Sequence, residues 1–165
     1  MIELRELNES DIEPLVRNGN NKKVSRYLVE SFPSPYTREN AEWWVSTGCQ
    51  AGINRAILWH GEFAGVVGAT PGTLEQRKQA SIGYWLGEPF WGKGIAAEAV
   101  KQLSKEIFET TEVVRLFAGV FSPNKASMRV LEKAGYSEEA VLKKAAYKDD
   151  CFYDEHIFTQ YRQGL

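Results

Sequence analysis

Phe90-Trp91-Gly92-Lys93-Gly94-Ile95-Ala96-Ala97 lies between a strand-like run and an amphipathic one, and its reading decides the fold. Upstream, Ala80-Ser81-Ile82-Gly83-Tyr84-Trp85-Leu86 reads as a strand. Downstream, Ile95, Ala99, Val100, Leu103 and Ile107 recur with helical period over residues 95–108. A glycine-rich turn that opens a helix leaves several backbone N–H groups without intrahelical partners. With the positive end of the helix dipole, those donors form an anion site suited to phosphate or pyrophosphate. Glycine also lets the backbone take dihedrals that a Cβ would block. The P-loop pattern does not fit, because its four-residue glycine spacing and Gly-Lys-Ser/Thr are missing. A dinucleotide fingerprint fits poorly: Ala97 is tolerable as its third position, but the distant acid, Glu112, precedes a strand instead of ending one. Taken alone, the turn is equally compatible with a helix start whose N–H groups are solvated.

A second segment breaks the tie. Asn124-Lys125-Ala126-Ser127-Met128-Arg129-Val130-Leu131-Glu132-Lys133-Ala134-Gly135-Tyr136 reads as a helix ending in Gly-Tyr, after an apolar strand over 113–121. Together with Trp91-Gly92-Lys93-Gly94-Ile95-Ala96-Ala97-Glu98-Ala99, it resembles the GCN5-related N-acetyltransferase (GNAT) family. Within that family it is similar to the branch that includes the ribosomal-protein-alanine N-acetyltransferases. The resemblance covers nearly the whole chain and is most specific over 79–136. It continues through the paired strands at the C-terminus; the N-terminal third matches mainly in element order.

Composition agrees. At 165 residues the chain is one domain's worth, long enough for a substantial core, and 1–165 is read as a single domain. Hydrophobic residues make up 43% and charged residues 25%, the balance of a globular protein. A net charge of −2 argues against general affinity for nucleic acid or an anionic membrane. No apolar run approaches membrane-spanning length, and Met1-Ile2-Glu3-Leu4-Arg5-Glu6 lacks the layout of a signal peptide. Cys49 and Cys151 are far apart and match no metal spacing, so reduced thiols, a cytoplasmic setting and no metal are expected.

The remaining chain supplies an α/β (α+β) architecture. A first strand runs through Ile2, Leu4 and Leu7 to about Asn8, and Ser10-Asp11 cap a helix that Asn18-Gly19-Asn20 stops. A helical turn over 24–28, a bend at Pro33-Ser34-Pro35-Tyr36 and a helix capped by Thr37 follow. Residues 53–59 and 62–70 flank His60-Gly61 as a hairpin, and 74–79 is a polar connection. After the glycine turn and the second helix, 139–147 and 151–161 pair around Lys148-Asp149-Asp150. One central, mixed but mostly antiparallel sheet flanked by helices results, in the element order of the N-acetyltransferase fold.

The resemblance implies acetyl-coenzyme A as co-substrate, with its pyrophosphate on the backbone N–H groups of Gly92, Lys93, Gly94, Ile95, Ala96 and Ala97. The family's usual turn is Gln/Arg-x-x-Gly-x-Gly/Ala; here Trp91 occupies the basic or amide position, where it is expected to pack. Lys93 either adds charge or is simply solvated. The pantetheine arm pairs like a short strand with an exposed sheet edge, which the family builds from residues matching Trp85, Leu86 and Gly87. Asn124 caps its helix and, in the family, also contacts the pantetheine. Ser127, one turn on, is implied to protonate the departing thiolate, since the tyrosine many members place a further turn along is Leu131 here.

The base is less legible. Two positions where members of the fold carry acids hold Ser81 and Ala145-Ala146. Asp154 matches a recurring family position and is the candidate that remains, while Glu30, with Phe32 and Tyr36, is the candidate binder of an acceptor ammonium. No nucleophile–base pair stands out, which fits direct transfer without an acyl-enzyme. The acceptor is a protein or peptide N-terminal amine in the favoured reading. A small amine (polyamine, amino sugar or amino acid) is the alternative, as is an acyl-coenzyme A sensor without turnover. Some relatives dimerise, so a homodimer is compatible with the resemblance, though no stretch marks an interface.

Overall fold

The computed structural model describes residues 1–165. Seven strands form one sheet in the order β1-β2-β3-β4-β5-β7-β6: β1 Ile2–Arg5, β2 Ile53–Trp59, β3 Glu62–Pro71, β4 Gln79–Leu86, β5 Arg115–Phe121, β6 Ser137–Lys148 and β7 Cys151–Tyr161. All neighbours are antiparallel except β4 and β5. The helices are α1 Ile12–Gly19, α2 Lys22–Ser25, α3 Arg38–Ser46, α4 Ile95–Thr110 and α5 Lys125–Lys133. None is long and apolar enough to cross a membrane.

Alternation along the strands splits the core in two. Ile57, Val67, Ile82, Leu116, Ala118 and Phe158 face α4 and α5, where Ile95, Val100, Leu103, Ile107 and Leu131 are buried. Ala56, Leu58, Phe63 and Val66 face the other way, toward Leu15 of α1 and Ala41 of α3. Each large aliphatic side chain so enclosed contributes about 1.5–3 kcal/mol. The two faces matter because the gap between β4 and β5, described below, connects them.

Local chemistry sets the element ends, and it moves several from where periodicity puts them. β1 stops at Arg5 because Asn8 leaves the ladder to accept the Ser10 N–H, opening the turn before α1. Asp11, 1% exposed, accepts Arg5 at 2.7 and 2.8 Å and the Asn8 N–H at 2.9 Å, fastening β1 to α1. α2 begins earlier than expected, since Asn21 caps it by accepting from the Lys23 N–H. Thr37 and Asn40 exchange hydrogen bonds in a capping box that starts α3. His60 and Gly61 both take positive φ, the geometry of a two-residue hairpin turn between β2 and β3.

Candidate active site

The expected strand–turn–helix junction is present, and its backbone is unusual. Gly92 and Gly94 sit at φ +73° and +75°, in the left-handed region. None of the N–H groups from Gly92 to Ala97 finds an acceptor in the protein, and the side chains of Ile95, Ala96 and Ala97 are buried beneath them. The apolar side chains thus anchor the turn from below while successive N–H groups are left free at the positive end of α4. Two neighbours differ from expectation. Trp91 does not bury itself: it is 42% exposed, and its Nε1–H donates to the Leu86 carbonyl at 2.9 Å. Lys93 is neither free nor aimed at the turn; its ammonium donates to the Pro89 carbonyl and lies 5.5 Å from the Trp59 ring centre.

Beside this turn the sheet opens. β4 and β5 pair only at Gln79–Arg115, Ala80–Leu116 and Ser81–Phe117, yet β4 runs on to Leu86 and β5 to Phe121. The polar groups lining the gap follow from ladder alternation. The Gln79 carbonyl and Gly87 N–H both bond β3, so the odd residues of β4 face β3 and the backbones of Tyr84 and Leu86 face the gap. On β5, Val114 and Ser122 bond β7, which turns Gly119 and Phe121 toward the gap. This corrects part of the expected edge. Gly87 donates to the Ala64 carbonyl at 2.8 Å, and Trp85 is paired with Val66, so of Trp85, Leu86 and Gly87 only Leu86 presents its backbone. The Trp85 indole packs against Phe32 and Phe63 on the α1/α3 face.

On the α4/α5 face, Asn124 caps α5 by accepting from the Ser127 N–H at 3.3 Å, and its side-chain NH₂ donates to nothing in the protein. Ser127 Oγ lies 2.5 Å from the Tyr84 hydroxyl, which also donates to the Ser127 carbonyl. Burial pushes the Tyr84 phenol up to about 12, with the Ser127 hydrogen bond working against the shift. Sequence reasoning missed Tyr84 because it reads as one more strand aromatic. Only the alternation of Tyr84 and Trp85 across the sheet hints that the phenol points toward α5. Leu131 is fully buried in the core.

Tyr36 and Asp154, expected at the acceptor and base positions, sit elsewhere. Tyr36 is 5% exposed, packed against Phe32 at 5.2 Å between ring centres, and burial raises its phenol to about 12; it is a core residue of the α1/α3 layer. Phe32 is half-buried between Tyr36 and Trp85, and Glu30 is exposed on the same loop. Asp154 does not face the gap's acceptor side. It shares its sheet face with Phe158, and its carboxylate accepts the Lys144 N–H at 2.9 Å and Lys143 Nζ at 3.2 Å. Those two donors hold the Asp154 carboxyl below its ordinary range, the backbone bond first. Lys144 takes φ +50° where β6 bulges, so Asp154 serves as the clamp of that bulge.

The α1/α3 face of the gap is a trough floored by glycines. A Cβ at Gly83 would meet nothing within 4 Å, whereas one at Gly119 would overlap Glu155 Oε1. Phe121 and Tyr153 stack beside it with ring centres 5.3 Å apart. The buried ammonium of Lys148 donates to the carbonyls of Ser25, Arg26 and Leu28 at 2.8, 2.9 and 2.6 Å, drawing the β6–β7 hairpin onto the C-terminal end of α2 and the residues after it.

Residues 2–137 match the family model described as the acetyltransferase (GNAT) domain. The chain is 25% identical to YoaA, an uncharacterized N-acetyltransferase of Bacillus subtilis, over 94% of this chain and 90% of that one. It is 30% identical to the ribosomal-protein-serine acetyltransferase of Escherichia coli over 50% of this chain and 46% of the relative. A solved ribosomal-protein alpha-N-acetyltransferase in complex with coenzyme A superposes with TM-score 0.84 at 23% identity, covering 97% of this chain and 93% of its own, a likeness that carries the fold. With its glycine turn, its splayed β4–β5 pair and a family model spanning most of its length, the chain belongs to the GNAT family of acetyltransferases.

Proposed function

We propose that the protein transfers an acetyl group from acetyl-coenzyme A directly onto a primary amine, with the N-terminal amine of a protein as the favoured acceptor. The observation that carries this reading is the run of six unpartnered N–H groups from Gly92 to Ala97 at the mouth of the β4–β5 gap. A diphosphate suits the first, and an extended chain bearing amides suits the second. The backbones of Tyr84 and Gly119, the Leu86 N–H and the free side-chain NH₂ of Asn124 are the groups that would hold the pantetheine of the substrate. Ser127, hydrogen-bonded to Tyr84, is the proton donor to the leaving thiolate, and a phenol that stays neutral to about 12 keeps that serine's partner protonated at working pH. Asp154 has no part in this reading.

Support for a protein acceptor comes from the relatives named for ribosomal-protein acetylation. Phe32 packs against Trp85 on the α1/α3 face and Glu30 is exposed on the same loop, so the two are the candidates to contact the acceptor. The test is coenzyme release from acetyl-coenzyme A against N-terminal peptides, polyamines, amino sugars and amino acids, beside calorimetry of the coenzyme alone. Turnover with peptides is expected. Turnover confined to small amines would replace the acceptor class, and tight coenzyme binding with no turnover would make the domain an acyl-coenzyme A sensor.

A further inference from the structure

We infer that Glu155 is the carboxylate that receives the acceptor ammonium and takes its proton. This rests on the transferase reading above and names the base it lacks. Glu155 stands directly opposite Phe121 on the β5–β7 ladder, so both side chains share the α1/α3 face, the reverse of the face holding Ser127 and Tyr84. Its carboxylate lies so close over Gly119 that any Cβ there would overlap Oε1. Gly119 in turn presents its backbone to the gap. The carboxylate is half-buried and accepts no hydrogen bond and forms no ion pair within the protein, whereas the neighbouring acids Glu138, Glu139 and Asp154 are all engaged. A half-buried carboxylate without a donor leaves its hydrogen-bonding capacity for a ligand.

The gap therefore places an acid partner, Ser127, on one face and a basic partner, Glu155, on the other. An ammonium in the trough gives one proton to Glu155. The freed nitrogen lone pair forms the N–C bond to the thioester carbon, and the C–S bond breaks. The sulfur takes a proton from Ser127, which is restored by the second proton leaving nitrogen as the amide forms. One proton remains on Glu155 and returns to solvent, so charge and atoms balance. The stacked Phe121 and Tyr153 form an apolar wall that limits water at the reacting amine. On its own sheet face Glu155 has Phe117, Gly119 and Phe121 of β5, Tyr153 of β7 and Leu142 of β6 as neighbours, none of them charged.

The experiment compares Glu155→Gln and Gly119→Ala with the unaltered protein in coenzyme affinity and kcat/KM for the best amine. Gln preserves shape, while the Gly119→Ala methyl displaces the carboxylate without removing it. Expected for Glu155→Gln are unchanged coenzyme affinity and a kcat/KM loss of about a hundredfold. Gly119→Ala, which pushes the carboxylate aside, should also lower kcat/KM. A Glu155→Gln variant within twofold of the unaltered protein in kcat/KM overturns Glu155 and leaves the transferase reading standing. Unaltered protein that binds the coenzyme but turns over no amine overturns both.

Discussion

Replacing Tyr84 by Phe removes a single oxygen from the Tyr84–Ser127 contact and leaves the ring packed against the α4/α5 core. The stability cost follows from what is lost: one neutral hydrogen-bonded contact, worth about 0.5–1.5 kcal/mol, with no sizeable cavity. The half-buried Ser127 Oγ can be rehydrated, which keeps the loss in that range. The rate effect is separate. If Tyr84 fixes the serine that protonates the thiolate, its loss should lower kcat about tenfold, or about 1.4 kcal/mol in the barrier, while Ser127→Ala should cost about a hundredfold. Because both act on one proton, the double variant should be no slower than Ser127→Ala alone. The assay is thiol release under saturating acetyl-coenzyme A and amine, with coenzyme affinity measured in parallel. Burial raises the Tyr84 phenol from 10.0 to about 12, so the folded state holds this proton more tightly than the unfolded chain. Its stabilising effect is complete below pH 10 and lost as pH rises through about 12, so Tyr84→Phe should blunt alkaline unfolding and leave the pH–rate profile unchanged near neutrality. A Tyr84→Phe enzyme with kcat within twofold, or a double variant whose losses multiply, would refute this role for Tyr84.

Two further outcomes test the frame around the site. At Gly94, φ +75° with open space around the missing Cβ means that Ala meets no clash but incurs the left-handed penalty of about 1–2 kcal/mol. Gly94→Ala should therefore lower the melting temperature by several degrees and weaken coenzyme binding about tenfold; unchanged affinity would remove the turn from the binding site. Arg5→Ala strands the buried Asp11 carboxylate with only the Asn8 N–H and should destabilise the fold by about 3 kcal/mol in denaturant titration, partly restored by adding Asp11→Asn. A loss below about 1 kcal/mol would show that this pair is not what fastens β1 to α1.

The element order was legible because each element carries a local signature. α4 repeats Ile95, Ala99, Val100, Leu103 and Ile107 on one face, α3 opens with Thr37, and β2 and β3 flank His60-Gly61. The glycine turn was legible for the same reason, since glycine spacing and a helix start are properties of eight consecutive residues. Boundaries drifted where a side chain reaches out of register to bond the backbone, as Asn8 and Asn21 do.

What sequence alone determined about this protein is its family, its elements and its glycine turn, all encoded in contacts between near neighbours. The tertiary structure alone decided which side of the sheet each residue serves. Asp154 and Glu155 are adjacent in sequence and equally acidic, yet strand alternation sends one to clamp the β6 bulge and the other over Gly119 in the trough. Likewise Tyr84 and Ser127 are 43 residues apart, and only the packing of α5 against β4 brings phenol and hydroxyl together. Which backbone edge of β4 stays open depends on where its pairing with β5 ends at Ser81 and Phe117, a long-range register that local periodicity does not encode.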